Sequence, residues 1–224
     1  MTPLDRPVWQ TLQGYHARFS VGSGLARRFQ PDVNMFASPQ EDTPEAMSAL
    51  ADLVEPGETV YILQAPGILI PDTLIPVKQA LGVQMVYRGA DLSGYDPNGT
   101  VQLTPEDAPD MLALATLTEP GPFLSRTHEM GRFIGVKDEG RLVAMAGERM
   151  RFGGFTEVSG VCTHPDYQGR GLAAKLSALV AQHILARQNT PFLHAWADNA
   201  GAIRLYEKLG FEIRCDMHAA ILSR

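Results

Sequence analysis

The chain has 224 residues, of which 45% are hydrophobic and 20% charged, and its formal net charge is -6. This is the composition of a folded globular protein with one large or two small domains. The acidic balance disfavours nonspecific binding to nucleic acid or to an anionic membrane surface, and the two cysteines, Cys162 and Cys215, offer neither a disulfide framework nor a metal-ligand spacing.

The N-terminal stretch MTPLDRPVWQ has no basic segment followed by an apolar run, and no stretch approaches the ~20 apolar residues of a membrane span, so a cytoplasmic protein with reduced thiols is expected. Val8, Trp9 and Leu12 share one face of a helix over about 5–15. Gly22-Ser23-Gly24 reads as a loop, since neither a lysine nor a strand completes a phosphate loop there. A strand at 33–37, a helix at 43–54 with Pro44 in its first turn, and a strand at 59–63 follow. Pro66, Gly67, Pro71 and Pro76 leave room only for short elements before a strand at 83–88.

Turn formers dominate 93–99, which sets an expected boundary between a small α/β N-terminal region, 1–98, and a C-terminal domain, 99–224. Beyond it, Val101 to Leu103 reads as a strand and Thr104-Pro105 as a helix start. His128-Glu129 lacks the second histidine of a zinc motif. Strands at 133–136 and 142–148 flank the hairpin turn Lys137 to Gly140.

The segment EVSGVCTHPDYQGRGLA, 157–173, carries the chemistry. Val158, Val161 and Cys162 suit a buried strand, Pro165 stops it, and Leu172, Leu176, Leu179, Val180 and Ile184 recur at helical spacing. Between them, Gln168-Gly169-Arg170-Gly171 puts free backbone N–H groups at a helix N-terminus, where the dipole is positive and the missing Cβ atoms let a ligand approach. That is an anion site suited to a pyrophosphate. A strand at 192–196, a helix to Leu209 stopped by Gly210, a strand at 211–215 and an antiparallel partner at 217–222 complete the pattern.

Gln168-x-x-Gly171-x-Ala173 resembles the phosphate-binding motif of the GNAT acyl-CoA-dependent N-acyltransferases, and Asn199-Ala-Gly-Ala-Ile-Arg-Leu-Tyr206-Glu-Lys-Leu-Gly-Phe211 resembles that superfamily's other characteristic segment. The resemblance covers roughly the last 120 residues. It implies a mixed, mainly antiparallel twisted sheet flanked by helices, with acetyl-CoA as cosubstrate, no metal, and direct transfer to a primary amine of a small molecule or peptide. The two-part plan is similar to that of glycine N-acyltransferases, and the resemblance is compatible with a homodimer.

Residue by residue, the resemblance assigns Gln168, Gly169, Arg170, Gly171, Leu172 and Ala173 to the phosphates and the main chain of Val161, Cys162 and Thr163 to the pantetheine arm and carbonyl oxygen. Asn199 is either a helix N-cap or a pantetheine contact, and Arg170 either adds charge at the pyrophosphate or is a solvated surface residue. Glu157, eleven residues before Gln168, matches the glutamate base of the histone-acetylating branch, although a strand-end carboxylate is the bland alternative; Glu148 and His194 are weaker substitutes. Tyr206 matches the tyrosine that protonates the leaving thiolate, while also packing with Ile203 and Leu209.

Two other readings compete. Gly169-x-Gly171-x-x-Ala174 with Asp198 downstream fits a dinucleotide fingerprint, but His164 to Gln168 intervene between strand and glycines and too little chain follows for a doubly wound sheet. A GNAT-fold binding module without turnover is the other.

Overall fold

The computed structural model describes residues 2–224. Its regular elements are α1 (Pro7–Gln13), β1 (Ser20–Val21), β2 (Ala26–Phe29), β3 (Ala37–Pro39), α2 (Pro44–Ala51), β4 (Thr59–Gln64), β5 (Ile75–Tyr87), β6 (Val101–Gln102) and α3 (Ala108–Thr118). Then come β7 (Phe133–Asp138), β8 (Arg141–Phe152), β9 (Phe155–Thr163), α4 (Leu172–Ala186), β10 (Thr190–Trp196), α5 (Ala200–Lys208) and β11 (Phe211–Ser223). Strands β1, β2 and β3 form a small sheet, and the other eight form one large sheet in the order β4-β11-β5-β10-β9-β8-β7-β6. Only β9 and β10 pair in parallel in that sheet; its other neighbours are antiparallel, so the mixed, mainly antiparallel class is as expected and a doubly wound parallel sheet is absent.

Local chemistry explains much of this. Thr43 caps α2 by accepting from the Ala46 N–H at 3.2 Å, with Pro44 at the first helical position. Thr104 caps a 3-10 turn, Pro105–Asp107, that feeds α3. Glu139 and Gly140, both with positive φ, make the two-residue link between β7 and β8.

Three expectations need correcting. The strand expected at 33–37 lies instead at β3, Ala37–Pro39, because Pro31, Asp32 and Val33 form a turn. The C-terminal stretch is one thirteen-residue strand, β11, and not a hairpin: Asp216 pairs with Val83 instead of turning the chain, and a bulge at Arg214 absorbs the change of register. Likewise β5 begins at Ile75, well before 83. Pro76 is tolerated because residues 75–81 pair with β11 on one side only, β10 joining from Gly82 onward.

As a result β4 and β5, which precede the turn-rich segment at 93–99, lie inside the same sheet as the strands that follow it. One face of that sheet packs on α4, through Val158, Leu176, Leu179, Val180, Ile184 and Leu193. The opposite face carries Phe192, Val86 and Met217 against Val8, Leu12, Phe29 and Phe36 of the N-terminal region. Each fully buried aliphatic side chain contributes roughly 1.5–3 kcal/mol, so either layer is a substantial core.

Candidate active site

β9 and β10 are paired only at Phe155–Thr190, Thr156–Pro191 and Glu157–Phe192, and beyond Glu157 they part. A bulge keeps them apart: Gly160 and Val161 together face the single Ala146 of β8. Gly160 has φ +61, and a Cβ there would lie 2.9 Å from the Phe133 ring, so the bulge needs glycine. The gap opens into a cavity of about 960 Å³.

At one end of this cavity is the loop before α4. Gln168, Gly169, Gly171, Leu172, Ala173 and Ala174 line it, and Gly169 and Gly171 both have φ +75 with open space where a Cβ would stand. The first N–H groups of α4 lack carbonyls one turn back, and Gly171 at the N-cap offers no side chain to satisfy them. Thr163 also lines the cavity, and its Oγ1 is buried with no hydrogen-bond partner among the described residues. An anion at the loop fits these free backbone donors.

Val161, Cys162, Asn199 and Tyr206 complete this end. Burial pushes the Cys162 thiol up to about 11, which keeps it protonated and a poor nucleophile. Asn199 caps α5, its Oδ1 accepting from the Ala202 N–H at 3.0 Å, and still faces the cavity with the rest of its amide. Burial likewise pushes the Tyr206 hydroxyl up to about 12. Arg170 is the exception among the loop residues: it does not line the cavity, donating instead to the Asp166 carbonyl at 3.1 Å and stacking on Tyr167 at 4.5 Å.

The other end opens on the face carried by the N-terminal region, with Phe36, Tyr61, Leu63, Arg149, His194 and Met217 in its walls. Glu157 is not in the wall. It is wholly buried behind Arg149, whose Nε and Nη2 donate to its two oxygens at 2.8 and 2.6 Å, and behind His194, whose Nδ1 lies 2.7 Å from Oε1. A second bulge makes this contact: Arg149 and Met150 of β8 together oppose Glu157, and the Met150 N–H points at Oε2 at 3.4 Å. Burial alone would raise the Glu157 carboxyl, but the Arg149 charge and the bonds from Arg149 and His194 overcome it and hold the group at about 2. With its lone pairs engaged and its proton affinity this low, Glu157 is poorly arranged as the base that the motif suggests.

His194 is held from both sides. Gln84 Nε2 donates to the Leu4 carbonyl at 2.9 Å and to His194 Nε2 at 3.0 Å, while Gln84 Oε1 accepts from Arg214 Nε at 2.5 Å. The imidazole proton therefore sits on Nδ1, facing Glu157. Glu148, the other substitute, is paired with Arg187 at 2.7 Å and does not line the cavity.

Sequence reasoning missed Arg149, Gln84, Phe36 and Tyr61. The signal for Arg149 was a charged residue continuing an otherwise apolar strand after Leu142 to Ala146, which calls for a buried partner. Among the described residues no group of three or more metal-ligating side chains is found, and no helix is long and apolar enough to cross a membrane.

Comparison with known proteins agrees with this fold. The family described as "FR47-like protein" matches residues 133–219. No match is found among curated proteins. A GCN5-related N-acetyltransferase from Kribbella flavida shares the fold, with a TM-score of 0.65 at 19% identity over 99% of this chain and 95% of that one. So does a GCN5-related N-acetyltransferase-like protein from Streptococcus suis, with a TM-score of 0.57 at 16% identity over 96% and 92%. A solved chain from Novosphingobium aromaticivorans, assigned to the GNAT family of acetyltransferases, is far more similar: TM-score 0.93 and 42% identity over 100% of this chain and 99% of that one. Given identity at that level over its full length, this chain belongs to the GNAT family of acetyltransferases.

Proposed function

We propose that the protein moves the acetyl group of acetyl-CoA directly to the primary amine of a small molecule or peptide, the donor entering on the α4 side of the sheet and the acceptor from the opposite side. The observation that carries this is the gap between β9 and β10, which joins a loop of free backbone donors on one face to a mainly apolar chamber on the other. The N–H groups of the loop over 168–173 hold the pyrophosphate, and the main chain of Val161 to Thr163 and Asn199 hold the pantetheine arm. Acetyl-CoA supplies a thioester whose carbonyl carbon is the electrophile. Backbone N–H groups at the bulged end of β9 stabilise the charge that develops on its oxygen.

Tyr206 keeps its proton at every physiological pH. Full transfer from a hydroxyl at about 12 to a thiolate near ~8.5 is uphill by about 5 kcal/mol at ~1.36 kcal/mol per unit. The hydroxyl therefore serves as a hydrogen-bond donor to the departing sulfur, and the attacking amine delivers the proton. Cys162, protonated and buried, takes no covalent part. Glu157 fixes Arg149 and His194 in the acceptor wall instead of taking the amine's proton.

The test is a thermal shift with acetyl-CoA, coenzyme A and NAD, followed by release of coenzyme A in the presence of amines. Stabilisation by both coenzyme A species, near ~2.7 kcal/mol at ~100 times the dissociation constant, is expected. Gly171→Ala, which strains a left-handed position by ~1–2 kcal/mol and puts a Cβ into the open space where the ligand approaches, should weaken acetyl-CoA binding while the protein still folds. Stabilisation by NAD alone, or stabilisation by acetyl-CoA without turnover on any amine, would sink the enzyme reading.

A further inference from the structure

The acceptor wall contains a charged hydrogen-bond donor that the protein leaves partly unused. Arg149 is 9% exposed and lines the chamber. Its Nε and Nη2 are taken by Glu157, and its guanidinium carbon stands 4.8 Å from the centre of the Phe36 ring. Nη1 makes no hydrogen bond among the described residues, and Arg149 is a wall residue of the cavity. One edge and a face of the group are thus fixed, and Nη1 is left over.

We infer that Arg149 recognises the acceptor, and that the acceptor is a primary amine carrying a carbonyl or carboxylate oxygen on the adjoining carbon, the chemistry of an amino acid or a peptide N-terminus. This deepens the acetyl-transfer reading and rests on it. A guanidinium N–H desolvated among Phe36, Tyr61, Leu63 and Met217 rewards an oxygen placed against it, and an amine that lacks the oxygen leaves it unpaired. The apolar walls suit an aliphatic side chain on the same carbon.

The proton ledger of the site points the same way. Glu157 is committed to Arg149 and His194, and His194 uses both ring nitrogens. Glu119, the carboxylate in the cavity lining, is exposed at its rim. The acceptor is then best supplied with its amine already neutral. At pH 7 an α-amino group near ~8 is neutral in about one molecule in ten, against about one in 2,500 for an alkylamine near ~10.4. An adjoining amide carbonyl gives both the low amine pKa and the oxygen for Arg149, whereas the carboxylate of a free amino acid gives the oxygen alone.

Leucinamide, leucine and 3-methylbutylamine share an amine and a side chain and differ only in that oxygen. With acetyl-CoA as donor, kcat/KM is measured for each and expressed per neutral amine, which removes the pKa advantage and isolates the Arg149 contact. In the wild type the better carbonyl-bearing compound should exceed the plain amine by at least about tenfold. An amide-only advantage would mark a peptide N-terminus, and an advantage shared by leucine would include free amino acids. Arg149→Lys keeps a cation for Glu157 but loses the fork, and the double variant R149M/E157Q removes both charges; both should bring the ratio within about threefold while acetyl-CoA still stabilises the protein. The inference is overturned by a wild-type ratio near one, by a ratio that survives in both variants, or by acylation of none of the three in a protein that acetyl-CoA stabilises. Failure of acetyl-CoA to bind would bring down the transfer reading itself.

Discussion

Replacing Glu157 with Gln should weaken the fold more than it weakens any proton transfer. The carboxylate is wholly buried and accepts two bonds from Arg149 and one from His194, and Arg149 itself is nine-tenths buried. Removing the negative charge orphans the guanidinium, and breaking a buried pair in this way costs about 3–5 kcal/mol. Titration gives a similar size: holding the carboxyl at about 2 instead of its ordinary 4.5 is worth about 3 kcal/mol at ~1.36 kcal/mol per unit. At roughly 2.1 cal/mol/K per residue, 224 residues unfold with about 0.47 kcal/mol/K, so Tm should fall by roughly 6–11 °C. R149M/E157Q, which leaves no orphan charge, should recover most of that loss. Because the folded carboxyl lies below its unfolded value, its contribution is complete above about pH 4.5 and disappears as the pH falls towards about 2. The assay is thermal unfolding of wild type and both variants at neutral pH, with single-turnover rates alongside. An unchanged Tm in E157Q, together with a rate loss of about a hundredfold or more that fades as the pH approaches the amine pKa, would refute the anchoring role and restore Glu157 as the base.

Two other groups give separable readouts. His16 is wholly buried, its Nε2 donating to the Met130 carbonyl at 2.7 Å and its Nδ1 2.6 Å from Thr11 Oγ1, and burial depresses it from 6.5 to about 4. Its contribution is complete above pH 6.5 and lost as the pH falls through about 4, so the unfolding free energy from denaturant titration should drop by up to about 3 kcal/mol across that window. In His16→Gln that part of the slope should flatten, and a wild-type curve already flat between those pH values would contradict it. Tyr206→Phe should lower the single-turnover rate roughly 10- to 100-fold, the worth of one hydrogen bond to a developing thiolate, with acetyl-CoA affinity unchanged; an unaltered rate would leave the residue with packing alone.

The half of the chain proposed to hold the cosubstrate was legible in its local structure because its signals are local. Gly169 and Gly171 need no distant partner to make a turn of positive φ, Leu176, Leu179, Val180 and Ile184 mark one helix face by spacing alone, and Gly210, with φ +84, ends its helix in sequence as in space. The acceptor half was opaque because its signals are long-range. Pro76 and the exposed Ile75 and Val77 hide the first half of β5, whose pairing is decided by β11, some 140 residues downstream. A bulge at Arg214 lets one strand run through residues that locally suggest a turn. Glu157 shows the limit most sharply. Its distance from Gln168 can be counted, but whether it faces a substrate or an arginine depends on one extra residue in a neighbouring strand.

That extra residue also explains why the N-terminal region is built into the catalytic sheet. The bulge turns Arg149 towards Glu157, and the bare guanidinium then needs an aromatic face and a chamber around it, which Phe36 and Tyr61 supply from before the turn-rich segment. Gln84 of β5 fixes His194 from the same side, and Arg214, bound to Gln84 at 2.5 Å and to Asp5 at 2.7 Å, ties that support back to the first turn of the chain. The contacts of Phe36 with Arg149, Gln84 with His194 and Asp5 with Arg214 each span more than a hundred positions, so the chamber is complete only once the N-terminal strands have paired with β11 and β10. The proposed acetyl-CoA site, by contrast, draws on β9, α4 and α5. The two functions therefore separate physically: damage to the N-terminal region should abolish acceptor selectivity before it abolishes the capacity to hold the donor.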